Sequence, residues 1–262
     1  MFETVIAFFV FLLGLCVGSF LNVCIYRMGR EQSVVKPRSH CPYCRKSIAW
    51  YDNIPLLSFI LLRGRCRWCG KKISLRYFLI ELLTGIVFLL IYQKFYLSFF
   101  MAAYCIFISG LIVATFVDFD FRIIPDEISL GGIIAGLVLS FIFPGLHYVP
   151  THLGGLWQSF LGVLVGGGAL WVLGCIGDFI FKKESMGGGD VKLLAMIGAF
   201  LGWKIALLTL PLASVFGAVV GVVIKIKTKE SLIAFGPYLA LGAFIAIFWG
   251  DTILNALFLY SY

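Results

Sequence analysis

Val113-Ala114-Thr115-Phe116-Val117-Asp118-Phe119-Asp120-Phe121-Arg122-Ile123-Ile124-Pro125-Asp126 carries an apolar run straight into acids. The run reaches back to Leu97 and so has about the ~20 residues a helix needs to cross a bilayer. Seven more runs of the same character occupy residues 4–24, 77–93, 128–144, 155–181, 190–203, 205–224 and 235–258. The one at 190–203 is the shortest and reads as a half-helix or a tilted segment. Apolar residues make up 61% of the 262 and charged residues only 13%, against roughly 25% charged in soluble domains. The expected fold is therefore all-α, a polytopic membrane protein with about eight transmembrane helices.

The formal net charge of +8 invites a nucleic-acid reading, which its distribution opposes. If the spans alternate, Lys94 and Lys204 alone face one side, and the rest of the 21 Lys and Arg face the other. Basic residues mark the cytoplasmic side, so both termini are expected outside and residues 25–76 form one large cytoplasmic loop. The start of the chain lacks basic residues, and no small-residue cleavage site follows Cys16, so the first run is expected to stay as an anchor rather than leave as a signal peptide. The division that follows is a first transmembrane helix (1–26), a cytoplasmic loop domain (27–76) and a membrane core (77–262).

Four of the eight cysteines fall in that loop as Cys41-Pro42-Tyr43-Cys44 and Cys66-Arg67-Trp68-Cys69. Two Cys-x2-Cys knuckles supply the four thiolates of a tetrahedral structural zinc site, and a cytoplasmic loop disfavours disulfides. A closed four-thiolate site has no open position for water. Its expected work is to fold a loop with too little apolar surface to fold alone. The basic residues around it form a solvated face near anionic lipids. Cys16, Cys24, Cys105 and Cys175 lie in or beside apolar runs and are expected to pack as small hydrophobes.

Acids at membrane depth are costly and therefore suspects for function. Asp118 adjoins the apolar run most closely, Asp120 lies further out beside Arg122, and Asp126 after Pro125 is accounted for by helix capping. Asp190 follows Gly187-Gly188-Gly189, where glycine disfavours helix by about 1 kcal/mol each, so a chain break is expected there with Asp190 at or near a helix start. Capping is a sufficient local account of Asp190 too. What singles it out is that the charge-derived topology places it at the same membrane level as Asp118. Two carboxyls brought together share a proton and titrate as a pair: the ionised one draws a proton from water, and the neutral one polarises a scissile carbonyl. The helix macrodipole favours the anion at Asp190 and leaves the proton to Asp118. Glu81, a turn inside the second run, either pairs with a surface base or belongs to a site. Ser19 and Asn22, near the cytoplasmic end of the first run, either bond other helices or contribute to a site at the membrane surface. A proton-coupled transporter is the alternative reading, opposed by the clustering of acids at one face.

At these residues the chain resembles the type IV prepilin peptidases, also called leader peptidase/N-methyltransferases. The marks are Gly18-Ser19-Phe20-Leu21-Asn22-Val23 with Tyr26-Arg27, the paired knuckles with Asp52-Asn53-Ile54-Pro55-Leu56-Leu57-Ser58 between them, Arg76-Tyr77 with Glu81, Asp118 leading to Ile124-Pro125-Asp126, Gly187-Gly188-Gly189-Asp190, and Phe235-Gly236-Pro237. The resemblance implies a membrane aspartic endopeptidase of the bacterial inner membrane that cuts the short basic leader from type IV prepilins and type II secretion pseudopilins at the cytoplasmic face. It implies Asp118 and Asp190 as the catalytic pair and Cys41, Cys44, Cys66 and Cys69 as zinc ligands. It further implies N-methylation of the new N-terminus from S-adenosylmethionine. No Gly-rich donor loop marks the methyl donor's site, which is expected to be built from the cysteine loop and the cytoplasmic helix ends. The partners expected are the pilin substrates and membrane lipids, with no nucleic acid.

Overall fold

A computed structural model describes residues 2–182, 186–228 and 234–258. Its helices are α1 (Phe2–Met28), α2 (Leu57–Leu61), α3 (Leu75–Phe95), α4 (Phe99–Phe121), α5 (Asp126–Ile142), α6 (His152–Phe181), α7 (Gly188–Thr228) and α8 (Gly236–Phe258), with two short 3-10 turns at Trp50–Asn53 and Pro144–His147. Among the described residues β pairing is confined to two isolated bridges, His40 with Ser47 and Arg65 with Lys72. Six helices among the described residues are long and apolar enough to cross a membrane: α1, α3, α4, α6, α7 and α8. Each of the eight apolar runs is helical over all but one or two terminal residues at most, α5 at 17 residues being the fourth run and α7 containing the sixth and seventh. The chain is a multi-pass membrane protein.

Two compact units divide it, Met1–Val113 and Ala114–Tyr262. In the first, α1 and α3 touch backbone to backbone. A methyl group on Gly14 would stand 2.8 Å from Gly85 Cα, and one on Gly18 equally close to Glu81 Cα. Such close approach between helices in lipid gains its stability from van der Waals packing. Asn22, 6% exposed, donates to the Tyr77 carbonyl at 3.0 Å across the same seam, so its polarity serves helix pairing. Arg27, also 6% exposed, donates to the carbonyls of Ser33 (3.0 Å) and Pro37 (2.6 Å). Cys24 and Cys105 are buried as expected, whereas Cys16 and Cys175 are exposed and contribute nothing to a core.

In the second unit α6 and α7 meet where Gly162 and Gly198 face each other's carbonyls. Just beyond, α7 breaks at Gly202 (φ 78°, ψ 168°), a conformation only glycine adopts without strain. Three groups gather at that break. The buried Ser159 hydroxyl donates to the Ala199 carbonyl at 2.7 Å, Ser140 reaches the same carbonyl at 3.4 Å, and His147 bonds Ser140 at 2.8 Å. The segment before the break is thus a half-helix of about 21 Å, short of the ~30 Å apolar core. The triple glycine differs from expectation: only Gly187 lies outside the helix, and Gly188 and Gly189 form its first turn. First-turn amides have no intrahelical acceptor, so glycine loses less there than in a helix interior.

Replacing Gly14 by leucine is expected to lower the thermal unfolding midpoint in detergent by several degrees, since the α1–α3 backbones must part. Gly168→Ala, which meets nothing within 4 Å, leaves that midpoint in place. Scanning calorimetry or tryptophan fluorescence of the two variants reads the difference.

Candidate active site

Asp118 lies at the cytoplasm-expected end of α4, 5% exposed, on the segment where the helix gives way to Arg122 with its left-handed φ of 56°. That turn hands the chain to Ile124 and Pro125, whose carbonyl receives the Ile128 and Ser129 amides at 3.1 Å each and so starts α5. Asp126 is therefore the first residue of α5, with Pro125 as its cap, and does not do the capping. Pro125 occupies the position from which a side-chain oxygen would reach back. Asp126 instead bonds Lys192 Nζ at 2.7 Å, an exposed pair that ties the start of α5 to the start of α7 and contributes ~0–1 kcal/mol by itself.

Asp190 stands in the first turn of α7, its own amide bonded to the Gly187 carbonyl at 3.1 Å. Asp118 and Asp190 line one cavity of about 340 Å³, together with Arg122, Ile124, Gly188 and Gly189, and they act on each other electrostatically. The residues predicted as a pair, seventy-two positions apart in sequence, share one space. A third element completes it. Gly236 at the start of α8 donates its amide to Asp118 Oδ2 at 3.0 Å. A methyl group on Gly236 would stand 2.7 Å from that oxygen and 3.1 Å from Ile124, and one on Gly189 would stand 3.1 Å from Ile124. Both glycines are needed for closeness, one to the carboxylate and one to the wall beside it. Sequence reasoning took Gly236 as the opening of the last span and missed its bond. The signal available was Gly236-Pro237 at a helix start, where an amide has no helical partner.

The four predicted ligands also converge. Their sulfurs lie within 4.8 Å of one another, with Cys41 to Cys69 at 3.8 Å and Cys44 to Cys66 at 4.0 Å. Sulfurs about 2.3 Å from a tetrahedral ion stand ~3.8 Å apart, so the cluster could hold a metal. Each knuckle turns back through a residue of positive φ, Arg45 (56°) in one and Gly70 (67°) in the other. Each also lends a lysine to its neighbour's aromatic ring: Lys46 lies over Trp68 at 4.4 Å and Lys71 over Tyr43 at 5.9 Å. The Cys69 and Trp68 amides point at Cys66 and pull its thiol down to about 7, while the pull of the Lys71 amide on Cys69 is outweighed by desolvation and the three neighbouring sulfurs, which push that thiol up to about 11. Arg67 grips both oxygens of Asp52 (2.8 and 3.0 Å from Nε), fastening the second knuckle to the turn between the two.

Comparison with known proteins gives the family. The model of the bacterial peptidase A24 N-terminal domain matches residues 12–95, and that of the type IV leader peptidase family matches 105–222. The prepilin leader peptidase/N-methyltransferase of Stutzerimonas stutzeri is 37% identical over 92% of this chain and 90% of its own length. This chain belongs to that family. The Pseudomonas aeruginosa relative of the same name is 35% identical over 92% of this chain and 90% of itself. The Myxococcus xanthus relative is 41% identical over 88% of this chain, which spans 66% of it. No solved structure matches the chain. The two acids belong to the segment that matches the type IV leader peptidase model, whereas Gly236 lies beyond the matched residues.

Gly236→Ala is expected to cut peptidase activity roughly 10²-fold, the cost of misplacing a reacting group by about 1 Å, with helix content unchanged by circular dichroism. Gly131→Ala on α5, with open space around it, is the control expected to keep wild-type turnover.

Proposed function

We propose that Asp118 and Asp190 are the acid–base pair with which this prepilin leader peptidase hydrolyses the bond behind the basic leader of type IV prepilins and type II secretion pseudopilins. The observation that carries the reading is the single cavity that both carboxyls line. Asp118 Oδ2 is engaged by the Gly236 amide, which leaves Oδ1 to carry the shared proton. Asp190, in the first turn of α7, sits where the helix dipole favours an anion. In that arrangement Asp190 takes a proton from the attacking water, and Asp118 donates to the carbonyl oxygen. The proton then passes to the leaving amine as the tetrahedral intermediate collapses. Gly188, with open space where a side chain would stand, lines the same cavity and lets an extended peptide lie against bare backbone.

The substrate's own nature fits this position. A prepilin is an apolar helix with a positive leader, so its scissile bond arrives where lipid gives way to water. The excess of Lys and Arg in the loops supports a boundary on the cytoplasmic side of the inner membrane, with both termini outside. The Cys41, Cys44, Cys66 and Cys69 cluster is read as a structural zinc site, closed to water and suited to holding the 27–76 loop together. The relatives' names pair the peptidase with an N-methyltransferase, and S-adenosylmethionine is the donor proposed for that second step.

Asp118→Asn and Asp190→Asn are each expected to lower leader cleavage by at least ~10³-fold, read by gel shift of a synthetic prepilin in detergent. The unaltered chain gives a bell-shaped pH profile. Substantial and equal residual activity in the two variants would overturn the pair. Metal analysis is expected to find zinc equimolar with the chain. Cys44→Ser loses the zinc together with several degrees of thermal stability, as a site that supplies folding energy must.

A further inference from the structure

Cys16, Ser19, Phe20, Val23 and Arg27 recur at helical spacing and form one stripe of α1, roughly 16 Å long at 1.5 Å per residue. The stripe lines a cavity of about 440 Å³ in the N-terminal unit. The loop supplies the rest of the lining, Arg38 and Ser39 before the first knuckle and Asn53 and Pro55 between the two. None of these residues takes part in the Asp118–Asp190 cavity, and leader cleavage gives the space no employment. Its character changes along its length. Cys16, Phe20 and Val23 belong to the apolar run, and Phe20 is 55% exposed, so this end opens towards lipid. Arg27 lies at the cytoplasm-expected end of α1 and binds the Pro37 carbonyl at 2.6 Å, which holds Arg38, next in the chain, at the same end.

Two guanidiniums and no carboxylate line the cavity. Arg27 is buried, and its side-chain partners are the neutral carbonyls of Ser33 and Pro37. Among the described residues no acid pairs with it or with Arg38. A buried charge is costly unless an opposite charge meets it, and the five N–H donors of a guanidinium exceed what two carbonyls take up. Glu81 does not supply the anion. Its carboxylate receives the Leu56 amide at 2.9 Å and bonds the Ser19 hydroxyl, a use that neither a surface ion pair nor a part in the hydrolytic site describes. Leu56, directly after Pro55, has φ 57° and ψ −49°, and the Leu57 amide bonds the Pro55 carbonyl at 2.6 Å, the γ-turn of the rare, strained hand. Glu81 thus ties a strained loop segment to α1 at the cavity's edge. Ser58 receives the Ile54 amide at 3.1 Å and donates to the Tyr51 carbonyl at 2.9 Å, fixing the turn from behind. Strained backbone persists where surrounding structure imposes it, and it concentrates at ligand sites.

We propose that this cavity binds one anionic phospholipid, its phosphodiester at Arg27 and Arg38 and an acyl chain along the α1 stripe towards Cys16. Guanidinium and phosphate match as charge-assisted, bidentate partners, and basic pockets at cytoplasmic helix ends take lipid headgroups. Ser39 and Asn53 offer a hydroxyl and an amide to the ester and glycerol oxygens. A free phosphate would answer the two cations and leave Phe20, Val23 and Pro55 uncovered, whereas an acyl chain covers them. The remainder of the lipid continues into the bilayer through the open side at Phe20. Such a lipid touches both the α1 stripe and the loop at residues 38–55, so it braces the cysteine-bearing loop against the membrane. The site owes nothing to the hydrolytic pair and stands apart from it.

Native mass spectrometry of the full-length chain in a neutral detergent, titrated with phosphatidylglycerol, phosphatidylcholine or inorganic phosphate, reads the site directly. The first phosphatidylglycerol adduct, one lipid per chain, is expected at roughly tenfold lower concentration than the phosphatidylcholine adduct, the worth of one charge-assisted hydrogen bond. Arg38→Ala removes that preference and Arg38→Lys keeps part of it. Lys72→Ala, which takes the same charge from the loop at a position outside the cavity, leaves the preference as it was. Phosphatidylglycerol with a photoreactive acyl chain labels residues 16–23 of the unaltered chain, a readout that depends on no variant's folding. Asp118→Asn binds the lipid as the unaltered chain does, so a failure of the peptidase reading leaves this one standing. Equal affinity for the two lipids, the same loss in Arg38→Ala and Lys72→Ala, or label confined to other helices would each overturn the site. Inorganic phosphate that displaces phosphatidylglycerol at a similar concentration would overturn the lipid in favour of a free anion.

Discussion

The amide of Gly236 held against Asp118 Oδ2 is the contact around which the C-terminal unit is arranged. A carboxyl at the end of an apolar helix needs a partner, and here the partner is the first turn of another helix. That turn has an amide to spare because no preceding carbonyl lies in reach. The bond requires α8 to begin at Gly236 without a Cβ and Ile124 to fill the space beside it. Ile124 in turn leans on Gly189, which puts the first turn of α7, and with it Asp190, at the same cavity. One hydrogen bond and two missing methyl groups therefore bring three chain segments to one place.

The N-terminal unit is built on the same economy with different parts. Close α1–α3 packing through Gly14, Gly18 and Gly85 creates a rigid base, and the polar residues along it bind loop backbone. Asn22 takes Tyr77, Arg27 takes Ser33 and Pro37, and Glu81 takes Leu56. The loop contributes little apolar core; Trp50 and Leu61 are largely exposed. Its shape comes from backbone hydrogen bonds to helix side chains and from the four converging sulfurs.

What could be read from the residues alone was whatever leaves a local trace. The eight apolar runs are helical because hydropathy and length are properties of contiguous residues. The cysteine spacing announces its convergence because Cys-x2-Cys can close on little else. Partners far apart in the chain left no such trace. The Asp126–Lys192 pair spans 66 positions, and local pattern assigned Asp126 to capping, a role that Pro125 had already taken. The Asp118–Gly236 bond spans 118. Glu81 offered two readings, a surface ion pair or a catalytic part; its bond to a strained amide at Leu56 was a third that no periodicity encodes. The break in α7 was half visible as a short sixth run, and its position at Gly202 depends on Ser140, His147 and Ser159 arriving from three other segments.

That break carries a mechanical consequence. The Gly188–Leu201 half of α7 is clasped by α6 through Gly162 and Gly198 and by hydroxyls at Ala199, while the half after Gly202 continues at its own inclination. Helices answer a thicker or thinner bilayer by tilting, and a straight rod 41 residues long would transmit that tilt to Asp190 at its tip. The kink at Gly202 makes two shorter helices of it, so the tip that bears Asp190 takes its heading from its own seam with α6 at Gly162 and Gly198.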